Sequence, residues 1–344
     1  MKPAVLVTGG AGYIGSVTCK ALAKAGYLPV VYDNLSRGHL WAVKWGPLEE
    51  NDLKDRKALR ATLRSYKPVA VLHFAAFAYV GESMSAPDLY FQNNVVNSLT
   101  LLECMRDCGV GTIVFSSSCA TYGLPVEVPI KDSHPQNPIN PYGESKRAAE
   151  AALHWYGAAY GLNWATLRYF NAAGADLDGE VGEDHSPETH LIPLTIEAAL
   201  GVRSHVEIYG TDYPTPDGTA VRDYVHVTDL ADAHVRALDY ILQGGESRAF
   251  NLGTGRGYSV RDVVNTVESI AGMKGISRNG PRRPGDPPIL IADASAAGSV
   301  LRWHSQFSDL DKIVRSALDW HVQRAPMTNL PTDKAQSVTV TAAE

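Results

Sequence analysis

Short runs of aliphatic and β-branched residues at 4–8, 29–32, 69–74, 112–116 and 164–169 punctuate the first half of the chain. Between them, at 13–25, 88–108 and 142–160, apolar residues recur three and four positions apart. The first pattern predicts strands buried on both faces, the second amphipathic crossover helices. Their alternation predicts an α/β fold with a doubly wound parallel sheet. After Asn171 the pattern changes: loop-rich stretches at 172–190 and 210–223 enclose a helical segment at 191–200. Helical spacing resumes at 228–242 and a strand-like run follows at 249–252. We therefore expect a main domain at 1–171 with a return of the chain to its sheet at about 225–252. A smaller, mixed α/β lobe should occupy most of 172–324. The polar, unpatterned segment 325–344, with Pro326 and Pro331, predicts a disordered tail.

Composition narrows the function classes. The chain has 344 residues, 45% hydrophobic and 20% charged, enough to bury one or two substantial cores. Its 31 basic and 37 acidic residues give a net charge of −6, so no broad cationic field exists for a nucleic acid partner. No apolar run approaches the roughly 18 residues of a membrane span, and the start breaks too early for a signal peptide, which makes the cytosol the expected compartment. Cys19, Cys104, Cys108 and Cys119 form no Cys-x-x-Cys pair, and no His or further Cys completes a ligand set around Cys104 and Cys108. Reduced thiols and no metal are expected.

The first strand runs into Gly9-Gly10-Ala11-Gly12-Tyr13-Ile14-Gly15, which opens a helix. Positions without side chains let backbone N–H groups and the helix N-terminus approach a pyrophosphate. Such a cluster alone is equally a tight turn. Here it stands between strand and helix, and Asp33 ends the next strand where a carboxylate can bind both ribose hydroxyls and repel a 2′-phosphate. A Rossmann-type dinucleotide site selecting NAD over NADP is expected. Asp52 is placed to accept from the adenine amino group or simply to hold a turn.

Tyr142 and Lys146 stand four apart at a helix start, so one ligand can meet both side chains. An isolated Tyr-x-x-x-Lys is usually only packing, but Ser116-Ser117-Ser118 ends a core strand whose C-terminal end faces the same crevice. A phenol of pKa near 10 needs roughly 4 kcal/mol of extra phenolate stabilisation to act as a base at neutral pH, and a nearby ammonium and a cationic cofactor are the available sources.

These residues, with His73-Phe74-Ala75, Val80-Gly81-Glu82-Ser83, Asn93-Asn94-Val95, Arg168-Tyr169-Phe170-Asn171, Arg222-Asp223-Tyr224 and Arg282-Arg283 with Asp286, occur in an order that resembles the extended short-chain dehydrogenase/reductase family, and within it the UDP-sugar 4-epimerases. The similarity extends to about Gln323. It implies NAD-dependent epimerisation at C4 of a UDP-sugar, UDP-glucose against UDP-galactose, through a transient 4-keto sugar. It implies Ser118, Tyr142 and Lys146 as the catalytic set, Tyr142 being the base. It places Gly9, Gly12, Tyr13, Ile14, Gly15, Asp33, Asn34, Asp52, Leu53, Phe74, Ala75, Ala76, Asn94, Ser116, Tyr142, Lys146 and Tyr169 at the cofactor. It further places Ser118, Asn171, His190, Leu191, Arg222, Tyr224, Arg283, Asp286 and Leu290 at the substrate, two guanidiniums suiting a diphosphate. A homodimer is implied by the resemblance alone.

Three positions depart from the family pattern: Ala78 where several members carry a Lys near the phosphates, His190 where some carry Asn, and Leu290 where others carry a bulky aromatic or a small residue. A UDP-xylose/UDP-arabinose pair and a non-catalytic NAD-binding protein stay open as alternatives. A 4,6-dehydratase is disfavoured, because Cys119 and Ala120 follow Ser118 where an acid would be needed.

Overall fold

The computed structural model describes residues 2–283 and 286–324; the tail expected at 325–344 lies outside the described residues. Its centre is a seven-stranded parallel sheet. Six strands come from the first half: β1 (Ala4–Thr8), β2 (Leu28–Asp33), β3 (Leu48–Glu50), β4 (Ala70–His73), β5 (Thr112–Ser118) and β6 (Asn163–Tyr169). The seventh, Arg248–Leu252, pairs in register with β6. Across the sheet the order is Arg248–Leu252, β6, β5, β4, β1, β2, β3. The winding direction reverses between β1 and β4, which opens a ligand crevice at their C-terminal ends.

Alternation within each strand sends side chains into two cores. In β1, Val5 and Val7 enter the core shared with Leu22 and Leu230, whereas Leu6 enters the core shared with Leu63, Leu101 and Leu153. The first core lies under the helices Tyr13–Lys24 and Val227–Leu242, the second under Arg56–Tyr66, Asn97–Asp107 and Pro141–Tyr160.

The pattern at 29–50 gave no sign of β3, an edge strand reading Leu-Glu-Glu that is not buried. The helix Arg56–Tyr66 also escaped it, having only Leu59, Thr62 and Leu63 buried behind an Asp55 cap. The stretch expected as one helix at 88–108 is Pro87–Tyr90, a π-helical segment Phe91–Val96 and Asn97–Asp107 in succession. The loop-rich parts of the second half hold short strands that propensity does not mark. Asn171–Ala173 pairs with Tyr224–His226, and Val221–Arg222 pairs with both Tyr258–Ser259 and Ile289–Leu290. The helices Leu191–Ala199, Val260–Ala271 and Leu310–Arg324 surround a separate core around Ile196, Val263, Val267 and Ile313. All four cysteines are free, and no helix among the described residues is long and apolar enough to cross a membrane.

Candidate active site

One large cleft runs from the glycine turn at the C-terminal edge of the sheet to the smaller lobe. At its first end, Gly9 has φ +73°, and a Cβ there would stand 2.5 Å from Ala75 N; a Cβ on Gly15 would stand 2.2 Å from Gly9 O. Both positions therefore admit glycine alone. Gly12 starts the helix Tyr13–Lys24 with no side-chain cap, so first-turn N–H groups face the cleft and suit a pyrophosphate. Asp33 is turned in beside this cradle: its carboxylate accepts from Ala11 N at 3.0 Å and Leu35 N at 2.9 Å. Burial raises its pKa, opposed by those two N–H groups, and lone pairs remain for a ribose diol. Asn34 donates to Asp52 at 2.9 Å, joining the two residues expected around the adenosine end.

The middle of the cleft is where β5 ends against the helix Pro141–Tyr160. Asn140 caps that helix by accepting from Gly143 N at 2.8 Å, with Pro141 in the first position, and this sets Tyr142 in the first turn. Ser118, the last residue of β5, stands beside the Tyr142 phenol, and Lys146 donates to Ser116 O at 2.8 Å. All three side chains are buried. Burial pushes the Tyr142 phenol up to about 12, with Ser118 pulling the other way. Burial lowers the Lys146 ammonium to about 7, opposed by Glu150. Tyr169 hydrogen-bonds Ser116 beside them.

Behind this set lies a buried ion pair. Arg168 grips Glu150 through Nε and Nη2, the latter at 2.6 Å, and Ser117 donates to the same carboxylate at 2.5 Å. Glu150 is one turn beyond Lys146, so the network ties the helix carrying Tyr142 to β5 and β6.

At the far end, Arg222 and Arg283 line the cleft with Asn171, Leu191, Tyr224, Asp286 and Leu290. Arg222 bonds Asp286 at 2.5 Å and the Arg283 guanidinium lies 4.1 Å from the centre of the Tyr209 ring. This end carries the guanidiniums of Arg222 and Arg283, the Asp286 carboxylate and aromatic faces. It matches a nucleoside diphosphate: guanidiniums for phosphates, a carboxylate for a ribose diol and a ring for the base.

The family model for the NAD dependent epimerase/dehydratase family matches residues 5–253. The chain belongs to that family. Among its relatives, a UDP-glucose 4-epimerase of Rhizobium meliloti is 54% identical over 320 residues, 93% of this chain and 97% of the relative. The crystal structure of UDP-glucose 4-epimerase from Brucella ovis in complex with NAD superposes with a TM-score of 0.90 at 53% identity, covering 92% of this chain and 98% of that one. A UDP-glucose 4-epimerase from Stenotrophomonas maltophila, with bound NAD and formylated UDP-arabinopyranose, gives a TM-score of 0.91 at 38% identity, covering 94% and 100% of the two chains.

Of the site residues expected from the sequence of this family member, all but one line the cleft. The exception is Asn94. Its amide accepts from Phe77 N at 2.8 Å and donates to Phe77 O and Ser145 Oγ, so it binds the cleft wall to the Tyr142 helix from behind. Both amide hydrogens are engaged in this support. His190 lines the cleft, yet its Nδ1 turns to Glu183 at 2.6 Å. Against the effect of burial, the Glu183 and Glu188 carboxylates raise it to about 10.

Other residues carry no role in the sequence reading. Asp223, between Arg222 and Tyr224, accepts through its carboxylate from the N–H groups of Thr254, Gly255 and Ala292 and anchors the small-lobe strands. Arg37 pairs with Glu82 at 2.7 Å and covers the Tyr79 ring at 4.9 Å in the cleft wall. His73, buried at the end of β4, bonds Thr8 Oγ1 at 2.6 Å and Ser98 Oγ at 2.8 Å, and burial then the Lys146 charge lower it to about 3. It is a neutral strut, legible only as part of a motif.

Proposed function

We propose that the chain interconverts UDP-glucose and UDP-galactose by inversion at C4, with Tyr142 as general base. The observation that carries this reading is the convergence of Ser118, Tyr142 and Lys146 midway along a cleft with a glycine-lined pyrophosphate cradle at one end and Arg222 and Arg283 at the other. NAD, the cofactor of the family, supplies a hydride acceptor and donor at C4, so that a 4-keto sugar forms and no net oxidation results. The cradle at Gly9, Gly12 and Gly15, the first-turn N–H groups of Tyr13 and Ile14 and the Asp33 carboxylate fit that dinucleotide. Asn34, Asp52, Leu53, Phe74, Ala75, Ala76, Ser116 and Tyr169 complete its walls.

Tyr142 takes the proton from the sugar 4-hydroxyl and returns it to the opposite epimer, while Ser118 shares that proton. Lys146 stabilises the phenolate and holds the nicotinamide ribose. Asn171, Leu191, Arg222, Tyr224, Arg283 and Asp286 hold the nucleotide firmly; the sugar, bordered by Leu290, stays loosely held and presents either face. In this scheme 1–171 with the return at 225–252 binds NAD and most of 172–324 binds the UDP-sugar. The protein acts in the cytosol as a homodimer, and the mutually packed helices Asn97–Asp107 and Pro141–Tyr160, with Trp155 exposed, offer surface for it.

A UDP-pentose pair is the second reading, favoured by the arabinopyranose nucleotide bound to the Stenotrophomonas relative. Chromatography of UDP-sugars after incubation with UDP-glucose should show UDP-galactose. Tyr142→Phe should lower kcat by about 10²- to 10⁴-fold with cofactor still bound. Turnover of UDP-xylose but not UDP-glucose would move the assignment to pentoses, and near-normal turnover of the variant would remove Tyr142 as base.

A further inference from the structure

The loop entering the small lobe reads Glu183-x-His185-x-x-Glu188-x-His190. It folds these four side chains onto one another, so that one ligand-type atom of each lies within 4.8 Å of all the others. Glu183 Oε1 stands 2.6 Å from His190 Nδ1 and 3.2 Å from His185 Nδ1. The Glu188 oxygens stand 3.3 Å and 3.7 Å from the same two nitrogens. Yet Glu183 Oε1, His185 Nδ1 and His190 Nδ1 are all hidden from solvent, and none has a partner in hydrogen-bond geometry. The atoms face one another at ion-pair distances but outside hydrogen-bond geometry, so their lone pairs converge on a common point that a further group can satisfy better.

The surroundings hold this arrangement in place. Glu183 is only 5% exposed, and its carbonyl accepts from Trp320 Nε1 at 2.9 Å. Glu188 Oε1 accepts from the N–H groups of Thr189 at 2.6 Å and His190 at 2.8 Å, which orients the carboxylate. Tyr79 packs edge-on against both imidazoles, with ring centres 5.8 Å and 6.5 Å away, and Tyr13 packs edge-on against His185 at 6.3 Å.

We propose that Glu183, His185, Glu188 and His190 form a binding site for a divalent transition-metal ion, zinc by preference. Two imidazoles and two carboxylates make a nitrogen–oxygen donor set that suits zinc, whereas magnesium and calcium take oxygen ligands. Tetrahedral zinc with bonds of about 2.1 Å sets its ligand atoms roughly 3.4 Å apart, inside the range of separations found here. All four positions come from the chain, so the ion is structural and has no open place for a substrate. It pins the loop against Tyr13, beside the glycine turn, and fixes His190, the N-cap of the helix Leu191–Ala199 that brings Leu191 to the cleft. His190 thereby serves the loop rather than the diphosphate.

Full-length protein, purified without an affinity tag and dialysed against a chelator, is titrated with ZnCl2 by calorimetry and with CoCl2 by visible absorption. The expected result is one zinc per chain and the intense absorption of tetrahedral cobalt. His185→Gln and Glu183→Gln should each weaken zinc binding by more than the ~10- to 100-fold that loss of a supporting group costs. Circular dichroism of both variants checks their fold, and the wild-type stoichiometry and cobalt spectrum decide the matter should either variant misfold. No saturable zinc binding, weak octahedral cobalt bands, equal affinity for MgCl2, or unaltered zinc affinity in folded variants would each overturn the site and leave a metal-free set of ion pairs.

Discussion

Replacing Lys146 by Met tests how a buried phenol becomes a base. Burial places Tyr142 at about 12, so reaching pH 7 takes five units, about 7 kcal/mol. Lys146 is one helical turn away, at a Cβ separation of about 5–6 Å. A protonated Lys146 about 5 Å from the phenolate would, at an effective dielectric constant of about 20, stabilise it by about 3 kcal/mol, or roughly two pKa units, and the phenolate would in turn hold the lysine charged. About 4 kcal/mol is then left for the positive charge of the bound cofactor. Met keeps the stem that packs over the Phe115 ring, where the ammonium sits 5.0 Å from its centre. A base works only when deprotonated, so a higher pKa removes activity at low pH and restores it as pH rises. The variant's acid limb in kcat should therefore move up by about two units, with kcat at pH 7 down about 100-fold and partly recovered at higher pH. Stopped UDP-sugar assays across a pH series measure this. A uniform loss at every pH, with the limb unmoved, would refute the electrostatic role and leave Lys146 as a hydrogen-bond donor only.

Two further substitutions probe the frame around the site. Gly15→Ala forces a methyl against Gly9 O and should strain the turn by about 1–3 kcal/mol, weakening cofactor retention about 10- to 100-fold; release of nucleotide from the denatured purified protein reads it. Glu150→Ala leaves the buried Arg168 guanidinium unpaired and should lower unfolding stability by about 3–5 kcal/mol in a denaturant titration. A loss below about 1 kcal/mol would mean the pair behaves as if exposed.

Much of this architecture was legible from the chain because its signals are local. The glycine turn, the acid ending β2 and the helix start at Pro141 each combine a conformational demand with a periodic neighbour, and the demand appears in the sequence itself. What escaped had no local signal. β3 is a polar edge strand that exists through pairing with β2, and the small-lobe strands at Val221–Arg222 and Ile289–Leu290 are two residues each, held by partners distant in sequence. Asn94 and Asp223 resemble ligand residues in composition, but tertiary packing commits their polar atoms to backbone groups. The Glu183–His190 spacing was visible too; no metal was expected, because ligand sets were sought around cysteines and an extended loop gives no periodicity to bring four side chains together.

The central claim is that one C4 hydrogen leaves the sugar and returns to its other face within a single closed cycle. UDP-glucose deuterated at C4, incubated with the purified protein in ordinary water, tests it by mass spectrometry of the UDP-galactose formed. Full retention of deuterium at C4 is the result expected. Wash-out of the label into solvent, or formation of UDP-galactose with protium at C4, would contradict it.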